Sequence, residues 1–275
     1  MHKFIALEND VNRTIYKYLI KVLPNVPLSR LQRAFRNHDI KVNGNRKVSK
    51  VYKLVLNDEI IVYGLNDIGK RTEVEKVAIN FKVLFEDDNI LAVSKKVNDE
   101  VHGTSNSLDN QVLSYLNFKP HGSFTPSHIG RIDKAASGIV LYAKTYSALT
   151  QLKAKINYLV KIYEFKSDLN TNVVVKLRLS HNDKLKKEVE SKFGKVSITK
   201  FWIQGDHQYA QLMTGRKHQI RASLEILKTP IWGDRKYGGK VAKRLYLHST
   251  RLIFKNLTDD LAYLNDQEID DRPKW

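Results

Sequence analysis

Residues 130–143 read Gly130-Arg131-Ile132-Asp133-Lys134-Ala135-Ala136-Ser137-Gly138-Ile139-Val140-Leu141-Tyr142-Ala143. A carboxylate, Asp133, stands two positions from a guanidinium, Arg131, in a segment bounded by glycines. The five residues after Gly138 are all apolar and partly β-branched or aromatic, which suits a buried strand better than a helix. A loop fixed by such a strand can aim both charges into a cleft from a rigid scaffold. Outward from it, short apolar runs recur at residues 81–85, 90–93, 173–177, 197–203 and 209–213. Helical patterns lie at 146–160 and 217–227. The alternation predicts one α+β domain over residues 81–275.

The first 65 residues follow another plan. Ile15, Tyr18, Leu19, Val22 and Leu23 have helical spacing, and Pro24 and Pro27 break that helix. Ser29 is expected to cap the next one, with Gln32 completing a capping box. Leu28, Leu31 and Phe35 then share one side, while Arg30, Arg33 and Arg36 run along the opposite one. Asn43-Gly44 marks a tight turn after Ile40-Lys41-Val42, and Asp58-Glu59-Ile60-Ile61-Val62 reads as a closing strand. Residues 1–65 hold twelve Lys and Arg against five Asp and Glu, so an arginine face beside a basic hairpin predicts an RNA-binding unit. Residues 66–80 mix Gly, Asn, Asp, Lys and Glu and read as a linker.

Composition narrows the function. A formal net charge of +18 repels itself in a compact chain, and a polyanionic partner is its simplest explanation. Absence of cysteine excludes disulfides and thiolate metal sites. No apolar run approaches a membrane span, and no long basic amphipathic helix offers itself to a lipid surface. The early Glu8 and Asp10 argue against a secretory or transit signal, so a cytoplasmic protein is expected. No cofactor or metal is expected, and nothing demands more than a monomer.

Two further segments carry chemistry. Gln211-Leu212-Met213-Thr214-Gly215-Arg216-Lys217-His218-Gln219-Ile220-Arg221 ends a strand, turns, and starts a helix whose apolar side holds Ile220, Leu224 and Leu227. Arg216, His218 and Arg221 therefore gather near a helix start, a place suited to anions. Lys161-Ile162-Tyr163 follows the 146–160 helix and puts a tyrosine on a strand.

These three segments, in this order, resemble the RluA-type pseudouridine synthases. Asp133 matches the family's catalytic aspartate, Tyr163 the tyrosine of its Lys-x-Tyr motif, and Arg221 the last arginine of its Thr-Gly-Arg-x-His-Gln-Ile/Leu-Arg motif. Phe85-Glu86-Asp87-Asp88-Asn89-Ile90, Val101-His102-Gly103, Pro230-Ile231-Trp232-Gly233-Asp234 and Leu245-Tyr246-Leu247-His248 add supporting matches. Gly130 stands where the family usually has histidine, Ala136 where it has threonine, and Ser94-Lys95-Lys96-Val97-Asn98 where it shows Asn-Lys-Pro-x-Gly. Residues 27–60, through Val42-Asn43-Gly44 and Asn57-Asp58-Glu59-Ile60, resemble the S4 RNA-binding domain, with Arg30, Arg33, Arg36 and Lys41 as its RNA-facing cations.

The resemblance implies a mixed, mainly antiparallel sheet flanked by helices, and conversion of uridine to pseudouridine in large-subunit ribosomal RNA, of the RluC or RluD kind. Breaking the C1′–N1 bond and rejoining uracil through C5 is an isomerisation and needs no redox cofactor or metal. It needs a carboxylate near the ribose, a flat group for the detached base, and a cation beside the carboxylate. Asp133 is expected to attack C1′ or take the C2′ proton. Tyr163 is expected to stack on uracil and to assist C5 proton loss, and Arg221 to pair with Asp133, lowering its pKa. Arg131 is assigned to the RNA, Arg216 and His218 to positioning Arg221 and the RNA backbone, and His102 and His248 to structure. Transfer RNA as substrate, or a non-catalytic role in ribosome assembly, are the alternatives.

Overall fold

The computed structural model describes residues 1–65 and 75–275. The first nine residues of the expected linker lie outside the described residues. From residue 75 the chain runs without regular structure to the strand that begins at Lys82, its amides at Val77 and Asn80 bonded to Ser114 Oγ and Gln111 Oε1 at 3.0 and 2.9 Å.

The N-terminal unit consists of β1 (His2–Ile5), α1 (Ile15–Val22), α2 (Leu28–Arg36), β2 (Ile40–Val42) and β3 (Glu59–Val62). Its strands form an antiparallel sheet in the order β1-β3-β2. Ile15, Tyr18, Leu19 and Val22 of α1 meet Leu31, Ala34 and Phe35 of α2 over Ile40, Val42, Ile60 and Val62. Both helices thus dock by the stripe that 3.6-residue spacing sets.

Two local expectations fail here. Ser29 does not cap α2, because Pro27 is the N-cap residue and Ser29 already lies inside the helix. The Pro27 carbonyl accepts the Arg30 and Leu31 amides at 2.9 and 3.0 Å, so the helix starts at Leu28. Leu28, at that start, is exposed, and Ala34 takes its place in the core. The turn at Asn43 and Gly44 forms as read, both residues having positive φ (49° and 83°). Asn43 then reaches across, donating Nδ2 to Asp58 at 2.7 Å and accepting the Glu59 amide at 2.8 Å. That pair is the physical content of the Val-Asn-Gly … Asn-Asp-Glu-Ile spacing.

The remainder is built from β4 (Lys82–Glu86), β5 (Ile90–Lys95), α3 (Leu108–Tyr115), β6 (Ser127–His128), β7 (Ser137–Ala143), α4 (Tyr146–Ala154), β8 (Val160–Phe165), β9 (Val173–Asn182), β10 (Lys187–Glu190), β11 (Lys195–Gln204), β12 (His207–Leu212), α5 (Gln219–Ile226), β13 (Leu247–Ile253) and β14 (Glu268–Asp270). One sheet runs β10-β9-β11-β12-β8-β13-β7-β5-β4, with β14 on β13 and β6 on β7. Among the described strands only β13 and β7 pair in parallel. The expected α+β class and mainly antiparallel sheet are therefore present.

The helix expected over 146–160 ends at Ala154, and residues 160–165 are strand. Val160, Ile162 and the aromatic Tyr163 and Phe165 favour an extended backbone over another helical turn. Helix α5 covers Phe165, Val175, Leu177 and Phe201, and α4 covers Ile139, Leu141 and Phe254. Helix α3 covers Leu91, Val93, Val140 and Tyr142, so the sheet is packed from both faces. Among the described residues no helix is long and apolar enough to cross a membrane.

Candidate active site

The site lies where β8, β13 and β7 adjoin. Residues 130–136 form the loop entering β7, and Gly138 fixes that entry. Its φ is +109°, and a Cβ there would stand 2.3 Å from the carbonyl oxygen of Ser249 on β13. Only glycine permits so close a parallel approach. From below, the ammonium of the buried Lys95 at the end of β5 donates to the carbonyls of Lys96, Asp99 and Lys134 at 2.8, 2.8 and 3.1 Å. Burial, opposed by Asp99 and Asp133, brings Lys95 down to about 8.

Asp133 and Arg221 meet as expected, with Arg221 NH1 2.9 Å from Asp133 Oδ2. The arginine is held mainly by a residue that sequence reasoning gave no role. Asp234 takes its Nε at 2.7 Å and its NH2 at 2.9 Å in a two-point fork. The Asp234 side chain is 1% exposed, against 23% for Asp133. Burial works against the guanidinium's charge, but Asp234 and then Asp133 outweigh it and hold Arg221 firmly protonated. Its guanidinium also lies 5.0 Å from the centre of the Tyr237 ring. The signal for Asp234 was its place in the Pro230–Asp234 match. Nothing local distinguishes a buried fork partner from a loop aspartate.

The 214–221 motif reads off the same geometry. Gln219 ties the strand-to-helix turn together, accepting from Thr214 Oγ1 and the Arg216 amide and donating to Ile198 O and Thr199 Oγ1, all at 2.9–3.0 Å. His218 is the left-handed N-cap of α5, with φ 52°. Its Nδ1 lies 3.0 Å from the Tyr237 hydroxyl and its Nε2 3.8 Å from Asp133. Burial lowers its proton affinity, with Asp133 opposing. Arg216 stands outside this cluster: it is exposed, and its Nε donates to Val196 O at 2.9 Å.

Tyr163 on β8 is buried within the α5 core, and with Lys161, Ser249, Gly130, Arg131 and Ile132 it lines a small cavity of about 40 Å³. Burial and the nearby Asp133 charge raise its hydroxyl, which is bonded to Ser249, well above the ordinary tyrosine value. Lys161, two residues away on the same face, is lowered by burial. Arg131 is exposed and turns from Asp133, its NH1 lying 2.8 Å from His102 Nε2. His102 is thus tied to an expected RNA-facing residue. Arg30, Arg33 and Arg36 are exposed on α2 and Lys41 half-buried on β2, all on the N-terminal unit.

That unit is joined to the sheet by a buried polar contact. Asp10 accepts the Ser123 amide and hydroxyl at 2.7 and 2.6 Å. Arg13 donates to Ser123 O and Oγ at 2.6 Å and lies 4.1 Å from the centre of the Tyr146 ring.

Residues 89–225 match the family model for RNA pseudouridylate synthase. An uncharacterized RNA pseudouridine synthase of Mycoplasma capricolum subsp. capricolum is 35% identical, over 100% of this chain and 99% of its own. The ribosomal large subunit pseudouridine synthase C of Pasteurella multocida is 29% identical, over 90% and 84%. The solved structure of human RNA Pseudouridylate Synthase Domain Containing 1 shares the fold at TM-score 0.55, with 18% identity over 70% of this chain and 87% of that one. With a 35% identical relative matched over the whole of this chain, this chain belongs to the RNA pseudouridine synthase family.

Proposed function

We propose that this enzyme isomerises uridine to pseudouridine in large-subunit ribosomal RNA, with Asp133 as the reacting carboxylate. The observation that carries the reading is the pairing of Asp133 with an arginine already fixed elsewhere. Arg221 is locked by Asp234, so its remaining NH1 meets Asp133 in one direction and leaves the second carboxylate oxygen for the ribose. Attack on C1′ and removal of the C2′ proton both start from that oxygen. Tyr163 shares a cavity with the Asp133 loop and serves as the flat wall for the detached uracil. Arg131 faces the incoming RNA from the cavity mouth.

Residues 81–275 act as the catalytic domain and residues 1–65 as an RNA anchor, through the exposed Arg30, Arg33 and Arg36 and through Lys41. The enzyme is taken to act as a monomer, and work on ribosomal RNA fits the cytoplasm. A uridine in structured RNA must leave its stack to reach the cavity, at a cost of a few kcal/mol. The ribosomal assignment follows the names of the relatives and the S4-like unit. It is tested by mapping pseudouridines in total RNA from cells lacking the protein, then restoring it as wild type or Asp133→Asn. One or more ribosomal positions should depend on Asp133. Dependence confined to transfer RNA would replace the substrate, and no dependent uridine would overturn the reading.

A further inference from the structure

Ser137 closes the loop that carries Asp133, and its buried hydroxyl is held from two sides. Arg244 donates NH2 to it, and His248 Nδ1 lies 2.8 Å away. On the opposite edge of the imidazole, His248 Nε2 lies 2.9 Å from the Asp271 carbonyl and 3.2 Å from the Asp271 carboxylate. Two acceptors face Nε2, so that nitrogen carries a proton. In the neutral ring Nδ1 then accepts the Ser137 O–H, while the serine oxygen accepts from Arg244. The order serine, histidine, aspartate is that of a hydrolytic triad. Ser137, however, is only 5% exposed and is absent from the cavity lining. A hydroxyl engaged as both donor and acceptor, with no room for a substrate, is a strut.

Both contacts lead to residues 271–275. Trp275 packs edge-on against His248 and Tyr246, with ring centres 5.8 and 5.4 Å apart. The Arg244 guanidinium lies 5.1 Å from the centre of the Trp275 ring. Asp271 also accepts from Ser94 Oγ at 2.5 Å, the residue preceding Lys95. Burial would raise the Asp271 carboxyl, but hydrogen bonds from His248 and Ser94 hold it below the usual range. His248 of β13 and Arg244 therefore hold one hydroxyl, four residues from Asp133, and both are backed by residues 271–275, which Ser94 of β5 also ties down.

We propose that residues 271–275 are a strap that sets the catalytic loop, Asp271 acting through His248 and Trp275 through Arg244 on the Ser137 hydroxyl. These groups act on the loop through the Ser137 hydroxyl, so all are positioning residues. The proposal rests on Asp133 being the reacting carboxylate, because a misplacement of about 1 Å there costs on the order of 10²-fold in rate.

The experiment is single-turnover pseudouridine formation on ribosomal RNA from cells lacking the protein, with hydrogen exchange on the same full-length samples. Ser137→Ala, Asp271→Asn and Trp275→Ala should lower the rate at saturating enzyme by at least about tenfold and leave RNA affinity within about twofold, the pattern of a lost transition-state contact. Trp275→Phe, which keeps an aromatic face for Arg244, should restore most of the rate. Amides of residues 131–137 should exchange faster in Trp275→Ala, while those of β9, β11 and β12 stay as in wild type. Wild-type rates in the first three variants overturn the strap, and so does exchange raised evenly across the sheet. If wild-type enzyme itself makes no pseudouridine, the functional reading fails, and the exchange pattern alone still decides whether the strap orders the loop.

Discussion

Asp234 closes both Nε and NH2 of Arg221 and leaves only NH1 for Asp133. The two carboxylates therefore have different duties. Asp234 is sealed and holds the cation; Asp133 is partly exposed, next to the loop residues 130–132 that line the cavity, and has an oxygen to spare.

Asp133→Asn should abolish pseudouridine formation and change stability by no more than about 1 kcal/mol, as at partly exposed sites whose partner stays paired. Denaturant unfolding beside the activity assay checks both halves.

Arg221→Ala strands the buried Asp234 charge and should cost ~3–5 kcal/mol, the range for breaking a buried pair by removing one member. Asp234→Asn should lose activity too, although it never touches the reacting atoms. Equal stability of Arg221→Ala and Asp133→Asn would refute the division of duties.

Lys95 gives a pH signature. Its folded value of about 8 lies below the unfolded one, near 10.4. Between these values the unfolded chain binds more protons, so this contribution to stability grows as pH rises and is lost as pH falls through the folded value. Wild type should gain on Lys95→Met between about pH 8 and 10, by at most about 1.4 kcal/mol per pH unit. Buried tyrosines such as Tyr142 and Tyr163, whose hydroxyls are raised by burial, act equally in both proteins. Parallel stability curves over that range would show that the lysine titrates normally.

For the N-terminal anchor, Arg30→Ala/Arg33→Ala/Arg36→Ala should weaken RNA binding and flatten the plot of log affinity against log salt by about 2, at about 0.7 per lost contact to single-stranded phosphate. Deleting residues 1–65 is the poorer test, because it uncovers Ser123 and Tyr146. An unchanged salt slope would remove the anchoring role.

Gly138→Ala should cost at least about 1–3 kcal/mol, the range for overpacking, since its Cβ would meet the Ser249 backbone at 2.3 Å. Thermal unfolding measures it, and a neutral substitution would mean that β7 and β13 can separate at no cost.

The legibility of this fold in its sequence follows the reach of its signals. Strands such as β5 and β7 were readable because they are continuous apolar runs, and α1 because its stripe is complete. Strand β13 was not: Leu247-His248-Ser249-Thr250 is buried through hydrogen bonds as much as through hydrophobicity, so it shows neither alternation nor an apolar run. The Asp133–Arg221 contact, across 88 positions, was reached through resemblance alone. Asp234 went unassigned because a fork partner is defined by what it meets in space. Ser29 was misread because the preceding proline starts the helix first.

The joint made by Asp10 and Arg13 on Ser123 and Tyr146 has a consequence for target choice. The contact ties the unit that carries the arginine face of α2 to the body that carries Asp133. If that face grips RNA and Asp133 reacts, as proposed, the joint sets how far from the grip a uridine can lie and still be reached. Substitutions at Ser123 or Tyr146, far from any reacting atom, should redistribute modification among neighbouring uridines before they diminish it.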